Sequence, residues 1–427
     1  MNARKPRTNA PSKKIAILGA GFGGLRAAMV LGTKIRRMGL KDCRITLVDR
    51  NDFQTFSPLL YEVSTTPKEI ADYLNLKSLV TFPLEKVLRD RQVELVQDTV
   101  RHLDLVDGKI ALASGRDLDY DYLIIALGVE TRFFDTDRLQ EATMGLKSFN
   151  DAITIRDAIW QSSCTARHLS IVVCGGGPTG VELSGELQGW LNEISRLGRC
   201  QTGITLIHAG PTVLSRFPHK VANKVAARLA RLNVNVIAND RIVAIQYDDN
   251  TIRLESGRIV MFDMLIWTGG VKLNEVLGNL PVKYENGRIS VADDLAVVPA
   301  DEGAVLHGKV YGIGDAVSCH YSQSGQEVPM LTWAAVSEAS VAARNVIADI
   351  LDKPAAPYKP MHYPYVIPVG GKYAVARVGP VTLSGYSAWF FKELVEFGYL
   401  VSILPAGYAW RIWFRELRIF TQNDNLG

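Results

Sequence analysis

The glycine-rich stretch GAGFGG at residues 19–24 returns in altered form as GGGPTG at residues 175–180. Each follows a short apolar run and precedes a helical pattern. In the first copy Ile15, Ile17 and Leu18 form the run of a buried parallel strand, and Gly19, Gly21 and Gly24 fit G-x-G-x-x-G, with Phe22 and Gly23 between. The first glycine of such a loop permits a tight turn, the second lets backbone approach a pyrophosphate, and the third lets helix pack on strand. The helix N-terminus favours the phosphate charge. The next apolar run, RITLVDR, ends at Asp49 and Arg50. Asp49 is placed to accept hydrogen bonds from a ribose. The glycine pattern alone is weak, but strand, loop, helix, strand and acid in that order is a strong signal.

The second copy repeats the grammar. LSIVVC leads into Gly175, Gly177, Pro178, Thr179 and Gly180, a helical pattern follows, and ITLIH ends at His208. The copies lie about 155 residues apart, an internal repeat of a nucleotide-binding unit. One dinucleotide does not need both, so the economical reading is two cofactors with electrons passing between them. Two further apolar runs end in small-residue turns: LIIALG, with Ala126 and Gly128, and LIWTGG, with Gly269. A third, VYGIGD, ends in Gly314 and Asp315. A carboxylate there either bonds a sugar-alcohol hydroxyl or caps the helix that follows.

Composition narrows the partners. The net charge of +4 comes from Arg4, Lys5, Arg7, Lys13 and Lys14; the remaining 43 bases balance 44 acids. No nucleic-acid surface follows from that balance. The basic start reads as a polar lead-in or an anionic-lipid contact. Cys43, Cys164, Cys174, Cys200 and Cys319 make no close pair, which argues against a zinc site or disulfide framework and for a reducing compartment. The sequence shows no apolar signal core and no run of eighteen uncharged apolar residues, so no spanning helix is expected.

Together these elements resemble the two-dinucleotide-binding-domain flavoproteins, and more narrowly the type II NADH dehydrogenases, the non-pumping NADH:quinone oxidoreductases. FSPLLYEVST at residues 56–65, the GGGPTGVELSGEL loop and an aromatic C-terminal segment carry the narrower resemblance, which runs from about residue 14 to about residue 420. It implies that the first loop holds FAD and the second NADH or NADPH. Pro58 and Leu59 would lie beside the isoalloxazine, and Gly314 and Asp315 would touch the ribityl chain. The helix from about Thr332, including Ala335, would point its N-terminal amides at the flavin, and Glu182 would position the nicotinamide. A quinone is the implied acceptor.

Two departures bear on function. The family usually has an acid where this chain has His208; an acid bonds the ribose and repels a 2′-phosphate, so NADPH use becomes plausible beside NADH. The family's A-Q-x-x-x-Q pattern here reads W-A-A-V-S-E, so Trp333, Ala334 and Glu338 stand at the expected quinone site, with Ala334 and Glu338 replacing the glutamines. Lys372 is displaced by two positions from a family lysine.

Residues 386–420 hold eleven of the chain's 36 aromatics, with Arg411, Arg415 and Arg418 among them. That suits helices lying in a membrane interface, or a hairpin packed on the body or on a second subunit.

The expected fold class is α/β, two Rossmann-like dinucleotide-binding domains plus a C-terminal amphipathic helical segment. A tail over 1–13 precedes an FAD domain over 14–144 and 295–355, an NAD(P)H domain over 145–294 and a membrane-associating, dimer-forming segment over 356–427. The expected function is a peripheral NAD(P)H:quinone oxidoreductase and homodimer on the cytoplasmic face of the cell membrane, with no metal. The rivals are a soluble reductase with another acceptor, a sulfide:quinone oxidoreductase and a flavin-based NAD(P)H sensor.

Overall fold

The two glycine loops sit in two separate parallel sheets of matching design. The computed structural model describes residues 12–132, 143–301, 303–321 and 324–423; most of the expected basic tail lies outside them. Among these residues the chain forms two compact units, one from 1–54, 82–130 and 272–362 and the other from 55–81, 131–271 and 363–427.

In the first unit the strand Lys13–Leu18 is central. Cys43–Asp49 and then Val93–Gln97 lie on one side, Tyr122–Ile125 and then Lys309–Gly312 on the other, all parallel. Strand order reverses at the central strand, so its carboxyl end opens the crevice where ligands bind in such sheets. Ile17, Leu18, Val48 and Leu123 to Ile125 are fully buried, as expected of strands covered on both faces. The helix Phe22–Met38 follows the first loop and packs against the helix Thr332–Ile350. The contact is close because it is lined by small residues: a Cβ on Gly23 would stand 3.2 Å from Ile313 Cδ1 and 3.6 Å from the carbonyl oxygen of Ala335.

The second unit repeats the plan. His168–Cys174 is central, with Gln201–His208 and Asn235–Ala238 to one side and Met264–Trp267 and Met144–Gly145 to the other, again all parallel. Val172, Cys174, Ile207, Leu265 and Trp267 share its core with the antiparallel strands beyond. Cys174 is therefore packing, and burial pushes its thiol pKa up.

The short helix Leu60–Thr65 and the C-terminal residues from Tyr363 belong to this second unit. The expected division had assigned 55–81 to the first nucleotide domain and made 356–427 a separate segment. The C-terminal part forms the antiparallel sheet Tyr365–Pro368, Ala374–Val378, Val381–Gly385 and then the helices Tyr386–Ile403 and Ala406–Phe420. Gly185, within the helix Pro178–Arg196, lies so close to Gly370 that an added Cβ would stand 2.8 Å from the Gly370 nitrogen. No helix of the described residues is long and apolar enough to cross a membrane.

Candidate functional site

The first loop is shaped by contacts that leave no room for a side chain. Gly19 has φ +96°, and a Cβ there would meet the Ala126 carbonyl oxygen at 2.4 Å; a Cβ on Gly24 would fall 1.8 Å from the Gly19 oxygen. The strand end at Ala126 thus braces the turn. Gly21 differs, with nothing within 4 Å of where its Cβ would be. That open face is where backbone can approach a phosphate. Asp49 Oδ2 accepts the N–H of Ala20 at 2.6 Å and Oδ1 accepts that of Asn51 at 2.8 Å, which fixes the carboxylate at the strand end. Arg50 is exposed and Phe22 half-buried, while Gly128 takes φ +65° in the turn after the strand Tyr122–Ile125.

The second loop repeats this geometry. Gly175, at φ +115°, abuts Gly269, where a Cβ would stand 2.7 Å from the Gly269 nitrogen; a Cβ on Gly180 would fall 1.9 Å from the Gly175 oxygen, and Gly177 is open. Pro178 and Thr179 are exposed at the start of the helix Pro178–Arg196, where the proline loses no intrahelical bond. His208 stands in the place of Asp49. Its Nδ1 accepts the N–H of Gly176 at 3.2 Å, its Nε2 lies 3.5 Å from Ser215 Oγ, and burial lowers its pKa. Both loops therefore fit a dinucleotide: two cradles that no side chain could enter, each with an open second glycine and a strand-end acceptor.

The GD element joins the first unit's site. Gly314 takes φ +72°, and its N–H donates to Glu338 Oε2 at 2.6 Å. Cys319 donates its thiol to Glu338 Oε1 at 3.3 Å. Glu338 is 3 % exposed and Ala334 2 %, so both face the interior of the first unit, and Glu338 braces the Gly314–Asp315 turn. Burial raises the Glu338 pKa to about 7 against the N–H of Gly314 and the thiol, which lower it. Asp315 and Trp333 are half-buried, and Ala335 backs Gly314 with its Cβ 3.6 Å from where one on Gly314 would stand.

In the second unit Leu59 is buried and Pro58 half-buried, and Phe56 stacks on Tyr399 at 5.1 Å. Glu182 is half-buried in the first turns of its helix. Burial raises its pKa to about 8, the positive charge of Lys392 lowers it and Glu62 raises it. A carboxyl held in its protonated form is a hydrogen-bond donor as well as an acceptor.

Sequence reasoning missed a group of buried charges. Glu62, Lys392, Glu393, Glu396 and Glu416 are each no more than 9 % exposed. The signal was present in KELVEF and RELRIF, charges at helical spacing inside an aromatic segment, but such charges normally face water.

Known proteins share this architecture. The profile of the pyridine nucleotide-disulphide oxidoreductases matches residues 13–339. A type II NADH:quinone oxidoreductase of Mycobacterium tuberculosis is 26 % identical, over 97 % of this chain and 91 % of the relative; a second from that organism is 28 % identical, over 97 % and 90 %. A demethylphylloquinone reductase of Synechocystis is 26 % identical over 90 % and 91 %. Among solved structures, that of NDH2 from Plasmodium falciparum in complex with NADH superposes with a TM-score of 0.79 at 19 % identity, covering 97 % of this chain and 99 % of that one. The fold is shared as well with the sulfide:quinone oxidoreductase of Aquifex aeolicus, at a TM-score of 0.71, 19 % identity and coverage of 94 % and 92 %.

Proposed function

The chain belongs to the pyridine nucleotide-disulphide oxidoreductase family, and from that premise we propose that it is an FAD-dependent NADH:quinone oxidoreductase that docks on a membrane surface and pumps no protons. The observation that carries the proposal is the pair of matched cradles, each with an open second glycine and a strand-end hydrogen-bond acceptor. Relatives named as quinone reductases align over nearly the whole chain and support the acceptor. The five cysteines, at 43, 164, 174, 200 and 319, include no close pair in the sequence, which speaks against the thiol–disulfide chemistry of other branches.

The chemistry supplied by a bound FAD is acceptance of a hydride from NADH and release of two electrons to a quinone. The residues of this chain orient and insulate. Gly21 and the amides opening the helix Phe22–Met38 hold the flavin nucleotide's pyrophosphate, Asp49 its ribose, and Asp315 its ribityl chain. Gly177 and the helix Pro178–Arg196 do the same for NADH, with His208 at the ribose. Glu182, whose pKa burial raises to about 8, bonds the nicotinamide carboxamide and positions the ring that gives up hydride. Trp333 offers a flat surface to a quinone ring.

Docking rests on exposed apolar side chains of the last two helices. Tyr386, Phe390, Leu394, Tyr408, Trp410 and Phe414 are 38–63 % exposed, and Arg411, Arg415 and Arg418 are exposed beside them. That combination suits an interfacial helix pair, where arginines reach headgroups. We place it on the cytoplasmic face, and a homodimer is part of the same reading.

The test is anaerobic stopped-flow absorbance near the oxidised-flavin band. Mixing with NADH is expected to bleach the flavin, and a short-chain benzoquinone to restore the colour. Bound flavin that no nicotinamide nucleotide bleaches would overturn the reading.

A further inference from the structure

Four buried carboxylates converge on one ammonium in the second unit, and the hydride step uses none of them. Lys392 Nζ donates to Glu62 Oε1 at 2.6 Å and to Glu393 Oε1 at 3.2 Å, and lies 3.2 Å from Glu396 Oε2. The Tyr61 hydroxyl donates to the same Glu62 oxygen at 2.6 Å. Glu416 completes the group, since Glu393, Glu396 and Glu416 each present an oxygen within 4.8 Å of the others. Glu416 is 2 % exposed, and its Oε1 has no hydrogen-bond partner. A small pocket of about 20 Å³, room for about one water, borders the group, lined in part by Tyr61, Glu62, Glu186, Glu393 and Glu416.

The helices that carry these charges are inside out. On Tyr386–Ile403, Lys392, Glu393 and Glu396 face inward while Tyr386, Phe390 and Leu394 face outward, 63 %, 47 % and 47 % exposed. Buried charges do not repay their desolvation as a rule, so packing alone gives no reason for them. One ammonium balances one carboxylate, and an interior does not hold the remaining negative charges bare. The group must hold protons. Burial drives Glu393, Glu416 and Glu396 upward, Glu396 to about 8. Burial alone would lower Lys392, but Glu393, Glu396 and Glu62 outweigh it and keep the ammonium charged. The titratable groups that face the cluster are Tyr61 and Glu62 from the helix Leu60–Thr65, Glu182 and Glu186 from Pro178–Arg196, Lys392, Glu393 and Glu396 from Tyr386–Ile403, and Glu416 from Ala406–Phe420. Three of the carboxylates are also spaced for a divalent cation, but Lys392 already sets a positive charge against two of them.

We propose that the Glu62, Lys392, Glu393, Glu396 and Glu416 cluster stores the proton that quinone reduction consumes. The inference rests on the quinone-reductase reading. NADH, one proton and a quinone give NAD⁺ and quinol: the hydride brings two electrons and one hydrogen nucleus, and the second proton comes from elsewhere. A cluster carboxyl O–H breaks as its proton passes to water, a quinol O–H forms with a proton relayed by water, and the carboxylate left behind regains a proton from water at the pocket. These are proton-storing residues, placed in helices whose outer face is the proposed bilayer contact.

The experiment compares two oxidants of the NADH-reduced holoenzyme in stopped flow. A short-chain benzoquinone needs protons; ferricyanide takes electrons alone. In the wild type a solvent deuterium isotope effect is expected with the quinone and none with ferricyanide. E416Q and E396Q are expected to slow the quinone arm by at least about tenfold, the loss of a proton donor, and to leave the ferricyanide arm unchanged. Equal loss on both arms, or no loss with quinone in folded variants, overturns the proposal. If the variants do not fold, equal isotope effects on the two arms of the wild type overturn it instead. A stoichiometric divalent metal in the purified protein overturns it in favour of a cation site. A wild type that ferricyanide reoxidises and quinone does not has failed the functional reading itself, and the proposal falls with it.

Discussion

His208 Nδ1 accepts the backbone N–H of Gly176 at 3.2 Å, the same bond that Asp49 Oδ2 makes to Ala20 at 2.6 Å in the first loop. The histidine thus keeps the acid's structural task without its charge. With Nδ1 accepting, the neutral ring carries its proton on Nε2, and burial holds the ring neutral by lowering its pKa. A 2′-phosphate meets no negative charge at this strand end. Replacing His208 by Asp is expected to lower the ratio of kcat/KM for NADPH to that for NADH by about tenfold or more, the cost of setting like charges together. Steady-state rates with each nucleotide check it.

The glycines separate into two kinds. A Cβ on Gly24 or Gly180 would fall inside the carbonyl of Gly19 or Gly175. G24A and G180A are expected to destabilise the fold by about 1–3 kcal/mol, as overpacking does. Gly21 and Gly177 have φ of −65° and −76°, open to any residue, and nothing near the missing Cβ. G21A is expected to keep the apo melting temperature and lose flavin, and G177A to keep both melting temperature and flavin while binding NADH more weakly. Thermal unfolding with flavin absorbance and nucleotide titration distinguishes the pairs.

Glu338 makes stability depend on pH. Its folded pKa of about 7 lies above the ordinary value of 4.5. Below the lower value both states are protonated and nothing is lost. Between the two, the folded state keeps a proton that the unfolded state releases, so stability falls as pH rises through the window. The contribution is on the order of 3 kcal/mol for a shift of this size. E338Q removes the titration, and its denaturant midpoint is expected to change less than that of the wild type between pH 5 and pH 8.

Lys392 pairs with three buried carboxylates, Glu62, Glu393 and Glu396. K392M leaves them without a counter-charge and is expected to cost about 3–5 kcal/mol, the penalty of a broken buried pair. The loss should grow toward pH 8, because without the ammonium that lowers the Glu393 and Glu396 pKa values the buried carboxyls must keep protons that the unfolded chain releases. Urea unfolding at pH 6 and pH 8 reads both effects.

The exposed aromatic face gives a prediction for docking. Trp410 and Phe414 are 45 % and 57 % exposed and stack on each other at 5.4 Å. The double substitution W410S/F414S is expected to reduce sedimentation with anionic lipid vesicles severalfold, because it removes apolar area from the contact. NADH-driven ferricyanide reduction should persist. Equal sedimentation of both proteins would refute docking through this face.

The repeat was legible because its chemistry is local. Gly19 and Gly175 need positive φ, Gly24 and Gly180 need to lack a side chain, and each demand is written at one position. Asp49 followed from its place at the strand end after the first loop, and His208 from the resembling family's acid at the matching position. Glu338 was placed by its match to that family's second glutamine, but such a match does not say which way a helix turns its face; the N–H of Gly314 and the thiol of Cys319 draw that carboxyl inward. The charged cluster could not be read because its partners are distant. Lys392 meets Glu62 across 330 residues, and each alone is an ordinary surface charge in sequence. The grouping of 55–81 and 363–427 with the second nucleotide unit was hidden for the same reason.

The close approach of Gly185 to Gly370 has a consequence for the order in which the molecule is made. The helix Pro178–Arg196 leaves the ribosome long before residues 363–427, yet it seats against backbone from that stretch. The second nucleotide-binding unit therefore cannot reach its final form until those residues have been made. A stop codon placed before residue 363 removes part of the unit's own packing along with the aromatic helices.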